Sequence, residues 1–351
     1  MEAYEYILKE LLKIPNSHET GTKDQIRMIC PVCNHPKPKL YIGLMNNSKL
    51  LGYDCKHCQF QGKVGPQFLE IFNVICEEYI QDFKDNKKRI KIFNPVTKME
   101  KLNFKIPEHV NPNDEFKLNY LSSRFGRPVT KQDIKTYKIV LNFKEFFEYN
   151  DFDYLQFESD PDKRKYLQYL ATEYSEHFVG LLSVDNNKIN LRNINSQNLS
   201  TKRYMVHVIN KDIVNPYMYM PDIPIDLCCT DPVINMAEGN YDIIGAKLKY
   251  FLNEDYSNIF VAVGTRKAYR RVLNQIMKMT GFLNAKINIF ADNDVFNNPD
   301  TSFMETEIPF YKEMFKKDFP LFDNINVIYN KEGKDFGNLS KPVKAETIKL
   351  N

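Results

Sequence analysis

Val233-Ile234-Asn235-Met236-Ala237-Glu238-Gly239-Asn240-Tyr241-Asp242 opens an alternation that governs the last third of the chain. Its first five residues are a mostly apolar run of strand length, an acid and a glycine close it, and Ile243, Ile244, Ala246 and Leu248 continue at helical spacing. The switch then repeats. Residues 258–263 form a second strand-like run, broken by Gly264 and followed by a basic helical stretch with Arg266, Lys267, Arg270 and Arg271. A third run, 287–291, ends at Asp292-Asn293-Asp294; a helical stretch near 303–315 leads to a fourth, 325–329. Strands alternating with helices predict an α/β unit with a parallel sheet and helices on its faces.

In such sheets, sites form beyond the carboxyl ends of the strands. Glu238, Gly264, Asp292 and Asp294 all fall there, and Asp335 in Gly333-Lys334-Asp335 follows the fourth run. Carboxylates converging in one crevice repel each other unless cations neutralise them. Mg²⁺ or Mn²⁺, with oxygen ligands and retained waters, is the expected occupant. Metal held in this way activates a hydroxyl and stabilises charge on a transferring phosphoryl group. Asp242 lies one helical turn beyond Glu238, and two readings stand for it: a member of the site or a helix cap. Asp292-Asn293-Asp294 taken alone reads as a loop and helix cap; combined with Glu238-Gly239 at the matching strand end, it reads as a metal site.

Toward the N-terminus, Cys30-Pro31-Val32-Cys33 and Cys55-Lys56-His57-Cys58 form a second constellation. Two Cys-x-x-Cys knuckles separated by a short antiparallel pair supply four thiolates in the tetrahedral arrangement that structural Zn²⁺ takes. Residues 39–44 and 50–53 have strand character, and Asn46-Asn47-Ser48 supplies the turn. Cys30, Cys33, Cys55 and Cys58 are the expected ligands; His35 and His57 lie beside knuckles already complete without them. Packing is expected of Cys76, Cys228 and Cys229. Tyr41, Tyr53, Lys39, Lys49, Lys56 and Lys63 give this ribbon the surface that single-stranded nucleic acid favours. The plainer role is a staple for a domain too small to fold alone.

Seven cysteines, four of them in the two pairs, point to metal in a reducing compartment rather than to a disulfide framework. The first residues carry Glu2, Glu5 and Glu10 rather than a basic leader, and no run is long enough to span a bilayer, so a cytoplasmic protein without a membrane partner is expected. Net charge is only +3, so any grip on a polyanion must come from local patches. Lys84, Lys87, Lys88, Arg89 and Lys91 make one such patch, either a solvated linker face or a DNA contact. The segment 145–160, acids interleaved with aromatics, reads as a partner-binding loop or as an insertion packed on the core.

Taken together, Ala237-Glu238-Gly239-Asn240-Tyr241-Asp242, Val263-Gly264-Thr265 and Ala291-Asp292-Asn293-Asp294 resemble the TOPRIM domain shared by topoisomerases and DnaG-type primases. Gly333-Lys334-Asp335 is similar to the acidic stretch that closes the primase version. A zinc ribbon ahead of that core is the layout of bacterial and bacteriophage primases, and the two Cys-x-x-Cys pairs are closest to the four-cysteine phage form. Gln61-Gly62-Lys63-Val64 resembles the exit from such ribbons. Asp-Asn-Asp departs from the commoner Asp-Gly-Asp, and residues 341–351 leave no room for a helicase-interaction domain.

The resemblance implies a zinc-binding domain (1–83), a basic linker (84–104), an α+β basic subdomain forming the N-terminal part of an RNA polymerase core (105–230), a Rossmann-like TOPRIM domain (231–340) and a short tail (341–351). It implies a primase that joins ribonucleoside triphosphates on a single-stranded DNA template, with a separate replicative helicase. Glu238, Asp242, Asp292 and Asp294 would be catalytic, and Glu238, Asp292, Asp294 and Asp335 would hold magnesium or manganese. Arg192, Lys202 and Arg203, in segments resembling the basic strands before TOPRIM, would contact triphosphate or template with Lys267; ordinary strand-edge charge is the alternative. Other classes remain open: a recombination mediator that binds DNA without catalysis, or a TOPRIM nuclease using the same acids. A topoisomerase would need a further strand-passage domain.

Overall fold

The computed structural model describes residues 2–45, 49–57, 60–85, 101–107, 110–195, 203–213, 215–223, 225–226, 229, 231–250, 256–282, 285–293, 303–319, 322, 324–341 and 343–350. Cys58, Lys87, Lys88, Arg89, Lys91, Lys202, Cys228 and Asp294 lie outside these residues.

The N-terminal unit begins with α1 (Ala3–Leu12), which buries Ala3, Ile7, Leu8 and Leu11 along one stripe. Strands β1 (His18–Glu19), β2 (Gln25–Met28), β3 (Leu40–Leu44), β4 (Leu51–Cys55) and β5 (Gln61–Lys63) form an antiparallel meander in chain order. The expected two-stranded hairpin is its centre, and the flanking segments pair outward from it. Leu40 and Ile42 on β3, with Leu51, Tyr53 and Cys55 on β4, alternate inward as a half-buried sheet requires. Helices α2 (Pro66–Ile71) and α3 (Glu77–Asp85) close the unit. The Tyr79 hydroxyl ties α3 to the sheet, donating to Val64 O at 3.1 Å and accepting from Leu51 N at 2.9 Å.

The middle unit comprises α4 (Glu115–Phe125), α5 (Lys131–Thr136), β6 (Ile139–Val140), α6 (Phe143–Tyr149), α7 (Pro161–His177), β7 (Phe178–Leu182), β8 (Lys188–Asn193) and β9 (Tyr204–Val208). Its four strands form an antiparallel sheet in the order β6-β7-β8-β9. The rings of the acidic-aromatic segment turn largely inward: Phe146 and Phe147 are buried, and Phe152 stacks between Phe104 and Phe147. Phe104, at the end of the expected linker, therefore belongs to this core, and Leu102 N donates to Asp185 O beside it.

The C-terminal unit alternates β10 (Val233–Ala237), α8 (Asn240–Tyr250), β11 (Asn258–Ala262), α9 (Tyr269–Thr280), β12 (Lys286–Ala291), α10 (Phe303–Asp318) and β13 (Ile325–Asn330). The sheet order is β11-β10-β12-β13-β14, with the first four strands parallel. Strand β14 (Ala345–Lys349) pairs antiparallel with β13, so the segment expected as a short tail instead forms the edge of the sheet. Ala345 and Ile348, scattered among charges, gave little strand signal, yet β14 supplies the backbone partners that β13 would otherwise lack. One sheet face packs Ile234, Met236, Ile287 and Ile289 against α9 and α10. The other packs Ala237, Phe260 and Phe290 against α8 and, from the middle unit, Leu121 and Phe125 of α4.

The ribbon docks at the far end of this sheet. Tyr53's hydroxyl abuts Gly281 at the C-terminus of α9, and Gln67 donates to Cys229 O just before β10. Both contacts lie where the parallel strands begin, opposite the end at which Glu238 and Asp292 follow their strands.

Candidate functional site

Strand order reverses at β10, which has β11 on one side and β12 on the other. Such a switch point splays the following loops apart and leaves a crevice beyond the strand ends. Glu238 follows β10 directly, its carbonyl accepting from Gly264 N at 2.9 Å, and Asp292 follows β12. Both are half-buried.

Asn293 acts as more than a spacer between acids. It is 8% exposed; its N–H donates to Lys334 O at 2.6 Å and its side-chain amide to Asn330 O at 3.0 Å. These bonds staple the loop after β12 to the loop after β13, bringing Asp335 toward Asp292. Asp335 Oδ1 accepts from Gly337 N at 3.1 Å, and Asp242 Oδ1 accepts from Phe336 N at 3.1 Å. The turn 335–337 is thus held from α8. Two glycines permit this approach: a Cβ at Gly239 would strike the Asp242 carboxylate, and one at Gly245 would strike the Phe336 carbonyl oxygen.

Burial drives the Asp242 carboxyl well above the usual carboxylate range, and the charges of Asp292 and Asp335 drive it further. Asp242 is no N-cap, since α8 starts at Asn240 and the carboxylate reaches across to the 335–337 turn. Glu238 lies toward α9 and α10, where its charge, after burial and a neighbouring phenol, helps hold the Tyr269 hydroxyl protonated. Asp292 acts on both Asp242 and Tyr269, so it stands between the two groups of acids. Crowded hard oxygens around a buried carboxyl fit a divalent cation of the Mg²⁺ class. Among the described residues, however, the carboxylates have not closed to ligand spacing.

Three of the expected zinc ligands have. Sulfurs of Cys30, Cys33 and Cys55 lie within 4.8 Å of one another, with Cys33 and Cys55 at 3.9 Å. Tetrahedral zinc with Zn–S of about 2.3 Å sets sulfurs about 3.8 Å apart, so these thiols fit Zn²⁺. His35 and His57 face each other with ring centroids 4.4 Å apart and belong to no such cluster among the described residues.

A basic cluster lies across the 335–337 turn from Asp242. Arg192, on β8, sits opposite Tyr204 and donates to its hydroxyl. Its guanidinium lies 4.8 Å from the Tyr204 ring, 5.5 Å from Tyr241 and 5.9 Å from Tyr120. Arg203 lies 5.5 Å from the Tyr204 ring. Arg124, on α4, enters the same cluster at 5.4 Å from Tyr241 and 5.6 Å from Tyr120, and donates to Gly337 O at 2.7 Å. Sequence reasoning missed Arg124. Its only local signal is the i, i+4 pairing with Tyr120; its place beside α8 depends on packing between units. Lys267 is exposed on the turn between β11 and α9, apart from this cluster, beside an Arg266–Glu307 ion pair of 2.8 Å. A cleft of about 870 Å³ in the middle unit, lined by Asn111, Asp114, Asn142, Glu145, Thr172 and His177 among others, includes none of the acids or arginines of the crevice.

No helix among the described residues is long and apolar enough to cross a membrane. No protein-family model matches the chain, and no curated protein matches it. Among solved structures, the zinc-binding and RNA polymerase domains of the Aquifex aeolicus primase are similar over 96% of this chain and 81% of that one, at 12% identity and a TM-score of 0.31.

Proposed function

We propose that this protein is a DNA primase of the DnaG type, with a TOPRIM core, that starts short RNA chains on single-stranded DNA. The observation that carries this reading is the turn 335–337. It holds Asp335 and the Asp242 contact on one side and receives Arg124 on the other. Carboxylates that suit a divalent cation thus adjoin guanidiniums that suit phosphate.

In this reading Glu238, Asp292, Asp294 and Asp335 hold Mg²⁺ or Mn²⁺. Bound metal would supply charge neutralisation on the triphosphate and a lowered pKa for the attacking 3′-hydroxyl. Asp242 orients the 335–337 turn and sets the local charge. Arg124, Arg192, Arg203 and Lys202 grip triphosphate and template, with Lys267 on the far rim. The zinc ribbon takes part in template choice from its dock at the opposite end of the sheet. A replicative helicase would be a separate partner.

The test is de novo synthesis on mixed-sequence single-stranded DNA with labelled ribonucleotides and Mg²⁺ or Mn²⁺, comparing wild type with Glu238→Gln and Asp292→Asn. Short RNA made by wild type alone is the expected result. DNA binding without product, with and without a cognate helicase, would move the assignment to a non-catalytic DNA-binding protein; cleavage of DNA would move it to a nuclease.

A further inference from the structure

Tyr241 is 8% exposed, and its hydroxyl is buried with no hydrogen-bond partner among the described residues. Buried phenols nearly always find a partner, because an unpaired one retains the cost of its lost water. Its neighbours make the vacancy informative. Arg124 and Arg192 approach the Tyr241 ring at 5.4 and 5.5 Å, and both also flank Tyr120.

Neither guanidinium is in an ion pair with a carboxylate among the described residues. Arg124 bonds the Gly337 carbonyl and the Tyr120 hydroxyl, and Arg192 bonds the Tyr204 hydroxyl. Asp335 acts on Arg124 only as a more distant charge. Two like charges share two aromatic faces here, which is unfavourable without an anion between or beside them. A phenol adds a donor to such a pair without adding a third positive charge. Arg124 and Arg192 are held by the ring faces, so the ring and the hydroxyl have separable roles.

Building on the nucleotidyl-transfer reading, we infer that the Tyr241 hydroxyl donates a hydrogen bond to the polyphosphate of the incoming nucleoside triphosphate, between Arg124 and Arg192. Arg124 bonds Gly337 O in the turn whose Gly337 N bonds Asp335, so the phosphate chain held beside Arg124 lies next to a carboxylate assigned to the metal. The ring positions the arginines and the hydroxyl binds the ligand.

Tyr241→Phe keeps the ring and deletes only the donor. The test titrates the full chain with inorganic tripolyphosphate in the presence of EDTA, with Arg124→Gln as a second variant, and measures nucleotide KM and kcat in the primer assay. Tyr241→Phe is expected to be as heat-stable as wild type or more so, to bind tripolyphosphate about tenfold more weakly, and to raise KM more than it lowers kcat. Equal tripolyphosphate affinity in wild type and Tyr241→Phe would overturn the inference, as would a loss of heat stability with affinity unchanged. So would wild type that binds no tripolyphosphate. The titration needs no catalysis, so it decides the role of Tyr241 even if no primer is made, an outcome that sinks the primase reading alone.

Discussion

Asn288 donates its side-chain amide to Asn235 Oδ1 at 2.9 Å in the middle of the parallel sheet. The bond is one rung of a ladder. Asn235 donates in turn to Asn258 Oδ1 at 2.9 Å, and Asn326 donates to Asn288 Oδ1 at 3.0 Å, so four strands are linked by buried amides. Asn288 lies directly opposite both Asn235 and Asn326, and a one-residue slip would break these bonds. Because Glu238 and Asp292 follow β10 and β12 within a few residues, the ladder also fixes the relative height of the two acids.

Asn288→Val removes the donor to Asn235 and the acceptor for Asn326 together. Each stranded buried group costs about 1–3 kcal/mol, so a loss of roughly 2–6 kcal/mol is expected in urea unfolding. Replacing all four asparagines by valine or isoleucine strands none of them and is expected to recover most of that loss. Additive losses across the four positions would show that the ladder does not act as a unit.

The parallel sheet was legible because β10 to β13 are short apolar runs, the first three closed by glycine or acid, a pattern that survives without knowledge of tertiary neighbours. The asparagines inside those runs were not informative, since asparagine disfavours strands unless a partner meets it on the next strand. The carboxylate positions followed from strand ends alone. Arg192 and Arg203 were named from the resemblance, but Arg124 was not, because Arg124 and Tyr241 meet only when α4 packs on α8, more than a hundred residues later. The role of Asn293 was hidden for the same reason: its partners, Asn330 and Lys334, lie at the end of β13 and just past it.

Lys117 is fully buried at 0% exposure, and its ammonium bonds Asp114 Oδ1 at 2.8 Å, Leu141 O at 2.5 Å and Ser175 O. These three acceptors use all its protons and pin the start of α4 to β6, α6 and α7. Lys117→Met leaves the Asp114 carboxylate buried and unpaired, at an expected cost of about 3–5 kcal/mol. Adding Asp114→Asn is expected to restore part of the loss, because it removes the stranded charge. A double variant no more stable than Lys117→Met would sink the account.

His207 points from β9 into the aromatic cluster, 4.9 Å from the Phe143 ring and 6.4 Å from those of Phe147 and Tyr174, with Nε2 buried and unpartnered among the described residues. Burial, and secondarily Lys211, pushes its pKa down from 6.5 to about 4. Folding therefore favours the neutral ring, and between those values the unfolded chain binds more protons. Stability should fall as pH drops through that window and level off below it, by roughly 3 kcal/mol if the whole shift is realised. Urea midpoints at pH 7 and pH 4.5 for wild type and His207→Phe test this. The variant should lose distinctly less on acidification, and parallel curves would refute the assignment.

Zinc should matter to the ribbon and not to phosphate binding. Cys30, just after β2, and Cys55, at the end of β4, are buried, Tyr53 of β4 stacks on Phe68 at 4.7 Å, and metal binding at cysteine clusters of this kind is coupled directly to folding. Chelation, or Cys33→Ser, is therefore expected to abolish a stoichiometry of one zinc per chain measured by atomic emission. It should also loosen β3 and β4 in hydrogen exchange. The ribbon docks where the parallel strands begin, whereas Asp242, Arg124 and Arg192 gather where they end. Zinc-free protein should accordingly keep its tripolyphosphate affinity while losing template-dependent initiation. If chelation weakened both alike, the ribbon and the crevice would have to be coupled through the sheet, and the separation of roles drawn from their placement would fail.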